Sequence, residues 1–341
     1  MPRSTQRSNE RGRSSALNKT AKKKGFLLSV FWQKSNDPFD RPKKKPWLKD
    51  IRDNKQLYLL MMPFFIGFLV MYIIPIISSM FLSLTYYNMF SPPKFIGLTN
   101  YINLFLNDDV FFTALKNTLL IAVITGPLGY LLCFFIAWLI NEMPKTVRVL
   151  LTFIFYAPTL SSSIYFIWQL IFSGDSYGII NNVLITLGVI QEPIQWLTNA
   201  DYTLAVVIVV QLWMSLGTSF LAFIAGFQSI DNSLYEAGDI DGVRNRYQEM
   251  IYITLPCMKP QLLFGAIMQI SASFSVGAIS QELCGFPSTK YSAHTILLHM
   301  QDYGTLRYEM GYACAIAVVL FVLMFVFKKL VGLVMRRIGD S

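Results

Sequence analysis

Residues 117–141 read NTLLIAVITGPLGYLLCFFIAWLIN, a run that contains no Asp, Glu, Lys or Arg. A helix needs about 20 mostly apolar residues to cross the hydrocarbon core of a bilayer. The run is long enough for this, and it lacks the alternation of apolar and polar residues that marks a barrel strand. It therefore predicts a membrane-spanning helix over about 118–140.

Five further windows lack charged residues in the same way, and most are slightly longer than the bilayer requires, so we expect tilted helices. They predict spans at about 57–84, 149–172, 202–228, 261–281 and 310–327. Only 14% of the 341 residues are charged, against about 25% in soluble proteins. This composition excludes an ordinary cytosolic enzyme, a disordered protein and a small secreted scaffold. The sequence predicts an all-α integral membrane protein with six transmembrane helices within residues 56–341.

The placement of Lys and Arg predicts the orientation of these spans. The segment 1–55 carries 16 of them, the loop 141–148 two, the loop 229–260 three and the C-terminal segment four. The opposite side has only Lys94, Lys116, Lys290 and Arg307. Because cytoplasmic loops are enriched in Lys and Arg, we expect both termini in the cytoplasm.

Residues 1–55 form a basic segment with the runs Lys22–Lys24 and Lys43–Lys45. Its one apolar stretch, 25–33, is too short to span a membrane, and no signal-peptide cleavage pattern is present. The composition favours a disordered cytoplasmic tail that rests on anionic lipid. The alternative is nucleic-acid binding, which the membrane character of the remaining chain disfavours.

The predicted spans contain no charged residue, although transporters coupled to protons or ions place such residues inside the membrane. The two histidines, His294 and His299, fall in a predicted external loop, and their spacing suits neither a shared helix face nor a metal site. The chain also lacks the Gly-rich loop that binds ATP phosphates. We therefore predict no catalytic residue, metal site or cofactor in this chain, and energy supplied by a separate ATPase.

Neutral polar residues are present in the spans instead, in particular Ser161–Ser163 in the third, Gln211 in the fourth and Gln269 in the fifth. Hydroxyl, amide and aromatic groups are what a neutral hydroxylated ligand such as a sugar requires. Small polar residues also join membrane helices to one another. Taken one residue at a time, this second interpretation is the more frequent one.

The segment 231–260, DNSLYEAGDIDGVRNRYQEMIYITLPCMKP, is predicted to form two short cytoplasmic helices. Ser233 and Glu236 match a capping box that would begin the first helix, and Gly242 is placed to end it in a left-handed conformation. A second helix, about 244–253, would stop at Pro256, with Pro260 at the start of the fifth span. Apolar residues among the charges indicate a docking site for another protein; a loop packed on its own helices is the alternative.

This segment resembles the EAA loop of permease subunits of bacterial ABC importers, whose pattern is roughly E-A-A-x-x-D-G-A-x-x-x-x-x-F-x-x-I-x-L-P-x-x-x-P. The chain departs from the pattern at Gly238, Val243 and Tyr247. It matches at Glu236, Ala237, Asp241, Gly242, Ile253, Leu255, Pro256 and Pro260. Shorter stretches (95–101, 115–118, 213–229 and 308–313) are similar to sugar-importer permeases of the maltose and glycerol-phosphate type.

The resemblance implies a type I permease fold, a place in the plasma membrane of a bacterial cell, and a set of partners. A second related permease would complete the channel, two ABC ATPases holding ATP and Mg²⁺ would drive it, and an extracellular or lipid-anchored binding protein would deliver the solute. The residues implied to couple this chain to the ATPase are Glu236, Ala237, Asp241, Gly242, Arg244, Leu255 and Pro256. The residues implied to line the substrate pathway are Trp213, Ser215, Thr218, Ser271, Phe274 and Ser275.

The function that follows is import of a sugar or oligosaccharide by alternating access. The chain would be a transport subunit of the importer rather than an enzyme. Serines stand where the maltose permease has asparagines in the fifth span, which indicates a different sugar. Two alternatives remain at this point: a permease for another solute, such as glycerol phosphate or a polyamine, and a membrane scaffold that docks a cytoplasmic partner. Charged solutes are disfavoured because the spans carry no charge.

Overall fold

The computed structural model describes residues 54–161 and 164–339. The chain divides into two compact units, one ending at Met71 and the other beginning at Tyr72. The predicted tail 1–55 lies almost entirely outside the described residues. The first unit contributes helix α1 (Lys55–Phe68) and the start of a π-helical turn, Leu69–Ile73. α1 contains no buried residue, although it is apolar from Leu57 onward.

The second unit is helical apart from one two-stranded antiparallel ribbon, in which Thr85 pairs with Phe95 and Tyr86 with Lys94. Its first elements are α2 (Ile74–Leu82), β1 (Thr85–Tyr86), β2 (Lys94–Phe95), α3 (Thr99–Leu106), α4 (Asp109–Asn141), α5 (Lys145–Tyr156), α6 (Ile164–Ile171), α7 (Ile179–Thr186) and α8 (Ala200–Met214). The remaining helices are α9 (Thr218–Gln228), α10 (Asn232–Ile240), α11 (Arg246–Glu249), α12 (Leu255–Cys257), α13 (Lys259–Phe274), α14 (Gly277–Cys284), α15 (Ile296–Gln301) and α16 (Met310–Gly339).

Within the described residues, four helical stretches are long and apolar enough to cross a membrane: Lys55–Leu82, Asp109–Asn141, Ala200–Gln228 and Met310–Leu333. Two bent helix pairs raise the number to six if each pair is one span: Lys145–Leu160 with Ile164–Ile171, and Arg246–Cys257 with Lys259–Phe274. The part of the chain that the structure describes is thus helical almost throughout, with four to six candidate membrane spans.

The third and fifth predicted spans are not continuous helices. In the third, Ala157–Leu160 forms a 3₁₀ turn around Pro158, because proline cannot donate its backbone hydrogen bond. Ser161 then adopts an extended conformation. In the fifth, the predicted helix over 261–281 ends at Phe274, and a separate helix begins at Gly277.

α4 is the central element of the second unit, and it packs against α8, α9 and α13. Its buried face carries small residues, among them Ala114, Ala122 and Ala137, which let neighbouring helices approach closely. Larger side chains fill the space at each end. Phe111 is fully buried near the first residue of α4, and Phe220 and Phe223 on α9 are buried near its last.

Two buried asparagines form hydrogen bonds that hold the loops at the N-terminal end of α4. The Asn100 amide donates to the carbonyls of Ser83 and Thr85, both at 2.9 Å. Asn117 donates to carbonyls of the loop that precedes α15, including that of His294 at 3.0 Å. Each amide satisfies carbonyl groups that a buried loop would otherwise leave unpaired. These residues belong to the short stretches that resemble sugar-importer permeases, and their role here is structural.

Candidate functional site

The EAA loop (231–260) begins with helix α10, whose N-cap is Asp231 rather than the predicted Ser233. The Asp231 carboxylate accepts a hydrogen bond from the Ser233 N–H at 3.0 Å. The predicted capping box is therefore wrong, because the helix begins two residues earlier and Asp231 satisfies a free backbone donor of the first turn.

Gly242 ends α10 as predicted, with φ +93°. The Val243 N–H donates to the Gly238 carbonyl at 3.0 Å, and the Gly242 N–H donates to the Asp239 carbonyl at 3.3 Å. This pair of bonds is a Schellman motif, in which the residue after the C-cap takes a left-handed conformation that glycine adopts without strain. The turn sends the chain back toward the membrane helices.

The second half of the EAA loop differs from the predicted single helix over 244–253. α11 covers only Arg246–Glu249 and passes into a π-helical turn, Met250–Thr254. Pro256 does not stop this helix: α12 continues to Cys257, and the chain bends by 80° before α13. Pro256 directly follows the π-helical turn and Leu255, as the second residue of α12.

The π-helical turn has a counterpart in the sequence. Between Gly242 and Ile253 the chain has one residue more than the EAA pattern. A π-helical turn accommodates one extra residue within a helix. At Gly238, on the face of α10 that packs on this turn, a Cβ would lie 2.7 Å from Ile253 Cδ1.

The EAA loop is fastened to the last turn of α4. Arg246 forms an ion pair with Glu142, and the Tyr247 ring lies 6.3 Å from the ring of Trp138. Within the loop, the Tyr235 hydroxyl and Thr254 Oγ1 are 3.0 Å apart. The two halves of the loop and the end of α4 are thus joined by side-chain contacts.

The structure divides the predicted coupling residues into two groups. Glu236, Ala237, Asp241, Gly242 and Arg244 are all exposed on α10 and the turn after it. Leu255 is half-buried and Pro256 exposed, and both lie behind the π-helical turn on α12. Only the first group forms one outward surface.

Apolar residues complete this outward surface. Ile240 is 87% exposed and Leu234 is 44% exposed. On α10 only Gly238 is buried, and Tyr235 is partly buried. A helix that exposes apolar side chains on one face and packs with the other is typical of a protein-docking site.

A second candidate site is a cavity of about 300 Å³ between the α8–α9 stretch and α13, which we call the serine cavity. Four of the six predicted pathway residues line it together. They are Ser215, Thr218, Ser271 and Ser275.

Both stretches of helix are interrupted at this cavity. α8 ends at Met214, and α9 begins at Thr218 after Gly217, whose φ of −109° and ψ of −127° are not helical. α13 ends at Phe274, next to Ser275. Broken helices at membrane depth are tolerated where the freed backbone lines a cavity, and transporters place substrate sites there.

The cavity serines donate their hydroxyl hydrogens to the helix backbone. Ser215 donates to the Leu212 carbonyl at 2.6 Å, Ser271 to that of Ile267 at 3.1 Å and Ser275 to that of Ser271 at 2.9 Å. Each oxygen keeps lone pairs that can accept further bonds. The cavity therefore offers acceptors to a ligand that carries hydroxyl donors.

Gln269 is a further polar residue of the serine cavity, and it is only 1% exposed. Its Nε2 is 3.4 Å from the Thr125 carbonyl, and its Oε1 has no hydrogen-bond partner. Space for it is provided by Gly129 on α4, where a Cβ would lie 2.3 Å from Gln269 Nε2 and 2.9 Å from Ser215 Oγ. The amide pattern in the sequence marked Gln269 as polar, but nothing local linked it to Gly129.

Trp213 and Phe274, the other two predicted pathway residues, do not line this cavity. Trp213 is 41% exposed, with its ring 6.1 Å from that of Phe155 and 6.2 Å from that of Trp168. Phe274 is 2% exposed and packs on Phe327 in the core. The structure brings neither ring together with the serines.

The sequence did not predict a buried polar cluster at the N-terminal end of α4. Asp108 Oδ2 is 2.9 Å from His299 Nε2 and accepts a bond from the Tyr312 hydroxyl at 2.9 Å. His294 Nε2 and His299 Nδ1 are 3.3 Å apart. The two histidines thus meet although their spacing suits no shared helix face, because His294 lies in the loop before α15.

The cluster shifts two ionisation equilibria. Burial opposes ionisation of Asp108, but the hydrogen bonds from His299 and from the Phe111 N–H outweigh it and lower the pKa to about 2. Burial, together with the neighbouring His299, lowers the pKa of His294 to about 4. Within the described residues no group of three His, Cys, Asp or Glu side chains could hold a metal ion.

Comparison with known proteins identifies the family. Residues 129–340 match the model of the binding-protein-dependent transport system inner membrane component. The chain is 34% identical over 278 residues to a probable ABC transporter permease protein, YesP, of Bacillus subtilis, covering 80% of this chain and 87% of that protein. It is 32% identical over 294 residues to the arabinooligosaccharides transport system permease protein AraP of the same organism, covering 83% and 88%.

A solved structure agrees with these matches. It is a bacterial ABC transporter involved in the import of the acidic polysaccharide alginate. One of its chains aligns with a TM-score of 0.70 and 26% identity over 85% of this chain and 98% of that chain. The all-helical type I permease fold follows, and the chain is a transport component rather than an enzyme. With its EAA loop, its interrupted helices and these matches, the chain belongs to the family of inner membrane permease subunits of binding-protein-dependent ABC transporters.

Proposed function

We propose that this chain is one of two related permease subunits of an importer that takes up a neutral sugar or oligosaccharide. The observation that carries the proposal is the serine cavity, which combines hydroxyl and amide oxygens with interrupted helices. Permeases for arabinooligosaccharides and alginate among the similar proteins support a saccharide as the substrate.

The chemistry of the cavity favours a neutral saccharide over an acidic one. All ten residues that line it are uncharged, being serine, threonine, glutamine, methionine, glycine and alanine. An anionic solute in a cavity of low dielectric constant would need a cation or many donors nearby. The serines have already donated their hydrogens to the backbone, so acceptors dominate. Glycerol phosphate, which is also anionic, is disfavoured for the same reason.

Transport in this proposal is alternating access driven by two ABC ATPases. The exposed face of α10 docks in the ATPase, with Glu236 as the charged contact. When ATP binds, the two ATPases close. Their closed form then favours the outward-open arrangement of the permeases, because it binds that arrangement more tightly than the inward-open one. The ion pair and ring contact at the end of α4 carry the movement of the EAA loop to the central helix.

The proposed topology has six spans with both termini in the cytoplasm, and each bent pair then counts as one span. It places the EAA loop in the cytoplasm and the Asp108 cluster on the external side, where a binding protein delivers the solute. The excess of Lys and Arg on the EAA loop side supports this orientation.

The experiment that tests the function is purification of the chain with its partners in gentle detergent, followed by reconstitution in liposomes. We expect a Walker-type ATPase and a second EAA-loop permease to co-purify, and ATP hydrolysis to rise when a neutral oligosaccharide and the binding protein are added. Hydrolysis that responds only to uronic acid oligomers would contradict the neutral substrate. Purification with unrelated enzymes alone would favour the scaffold alternative.

A further inference from the structure

An apolar groove separates α13 from α16 at the end of α13 that follows the EAA loop. Its volume is about 520 Å³. Leu263 and Ile267 form one wall, and Phe325 and Leu333 form the other. Two cations, Lys328 and Lys329, also line this groove.

The groove continues deeper between the helices. A second apolar cavity of about 400 Å³ shares Ala266 and Val331 with it and reaches Pro127 on α4 and Phe274 and Phe327 beyond. The two cavities together form one long apolar slot with positive charge at one end only.

The position of the two lysines suits an anionic headgroup. Both are exposed, and Lys329 Nζ lies 5.3 Å from the Phe325 ring centroid. They stand in the last part of the stretch Met310–Leu333 that is apolar enough to span the membrane. At this depth lysine side chains reach the lipid headgroups while their carbon chains remain in apolar surroundings.

The slot and the serine cavity lie on different sides of α13, and Gln269 lines both. Successive residues of an α-helix are rotated by about 100°, so Ser271 and Ser275 lie on a different side of α13 from Ala266 and Ile270. Because the serine side of α13 is the one we assign to the substrate, the other side is available to lipid.

We propose that this slot binds one anionic phospholipid, with its phosphate between Lys328 and Lys329 and an acyl chain along α13. The charge at the mouth and the apolar length behind it match the two parts of such a lipid, and basic pockets between membrane helices bind anionic headgroups in this way. An apolar helix of a second subunit would fill the slot equally well but would have no use for the two lysines.

The test is native mass spectrometry of the full-length chain with its co-purifying subunits, equilibrated with phosphatidylglycerol or with phosphatidylcholine. We expect the wild type to retain phosphatidylglycerol preferentially. The variant K328Q/K329Q should lose about thirtyfold in its affinity for phosphatidylglycerol, roughly fivefold per lysine. The matched control is K145Q, which removes an exposed lysine at the start of α5.

A second variant tests the apolar part of the slot. Gly332 lines the groove, and a Cβ there would meet no atom within 4 Å. Gly332→Leu therefore fills the groove without disturbing the backbone, and it improves helix propensity, so a folding defect is not expected. We expect this variant to lose bound phospholipid although both lysines are present.

Three results would overturn the proposal. The first is equal retention of phosphatidylglycerol by the wild type and K328Q/K329Q. The second is equal competition by phosphatidylcholine, which indicates unspecific lipid contact. The third is obtained with a photo-crosslinking amino acid at Leu263 in native membranes: a crosslink to a permease-sized protein would show that a subunit occupies the slot. A crosslink to phospholipid supports the proposal.

Discussion

The EAA loop and the serine cavity are the two candidate functional regions of this chain, and they are built in opposite ways. The loop exposes charged and apolar side chains on a short helix whose shape depends on local backbone signals. The cavity collects neutral side chains from two interrupted stretches of helix and from Gln269, with Gly129 on α4 making room. The candidate docking surface is therefore formed by residues that are consecutive in the sequence, whereas the candidate substrate cavity is formed only when distant helices pack together.

The largest effect is expected from Gly242→Val, which places a β-branched residue at φ +93°. The left-handed conformation costs an ordinary residue about 1–2 kcal/mol and a branched one more, so the loop should change its path. We expect loss of ATPase co-purification and of uptake. Gly242→Asn is the matched control, because asparagine tolerates this conformation. Equal loss in both variants would show that the backbone conformation is not the cause.

In the serine cavity, Gly129→Val should abolish uptake. Its Cβ would lie 2.3 Å from Gln269 Nε2, and it would displace the wall of the serine cavity. We expect the ATPases to remain bound, as co-purification will show, while saccharide-stimulated hydrolysis disappears. Loss of ATPase binding in this variant would mean that the two regions are not separable. Gly126→Ala is the control, because a Cβ there makes only an ordinary contact.

Glu236→Ala should weaken ATPase docking by about thirtyfold or more, since truncating one partner of a buried charge pair at an interface costs about 2–5 kcal/mol. Asp239→Asn provides the comparison, because Asp239 lines the groove behind α10 rather than the outward face. Detergent-resistant ATPase association measures the effect. Normal association and normal uptake in Glu236→Ala would exclude the proposed contact.

Gln269→Leu should lower the affinity for the saccharide by about tenfold, because a buried hydrogen bond to a ligand hydroxyl contributes about 1–1.5 kcal/mol. Single serine-to-alanine changes at Ser271 and Ser275 should cost less, about fivefold or below. Saccharide-dependent ATP hydrolysis at varied concentration gives the affinity. Thr198→Val is a control that should leave the affinity for the saccharide unchanged, because Thr198 is an exposed loop residue.

The smallest effect on transport is expected from the Asp108 cluster, which belongs to neither region and acts on stability. His294 has a pKa lowered from 6.5 to about 4 in the folded chain, so the unfolded chain binds more protons between these values. Stability should therefore fall as the pH drops from about 6.5 to 4. The contribution of the Asp108 carboxylate is present above about pH 3.8 and is lost as the pH falls toward 2.

Thermal unfolding of the wild type and of His294→Gln at pH 7 and pH 5 checks this prediction. The pH-dependent loss should shrink in the variant, while ATPase binding at pH 7 stays normal. An unchanged difference between the two pH values would assign the acid sensitivity to another group.

Much of the fold could be predicted from the sequence because lipid imposes a simple rule on it. Charge-free runs had to become membrane helices, and four to six such stretches are found. The 3₁₀ turn before Ser161 follows from Pro158, but the break at Ser275 could not be predicted, since interior helices are interrupted where neighbouring residues and a cavity satisfy the freed backbone. The placement of Phe274 in the core was missed for the same reason, because both faces of a membrane helix are apolar.

By itself, the sequence determined the membrane character of the chain, the position of the EAA loop and the left-handed turn at Gly242. These features depend on solvation and on the conformational preferences of single residues, which act locally. The tertiary structure alone decided that four of the predicted pathway residues share a cavity with Gln269, and that Asp108, His294 and His299 meet. Each of these depends on contacts between distant residues, which no local pattern of residues specifies.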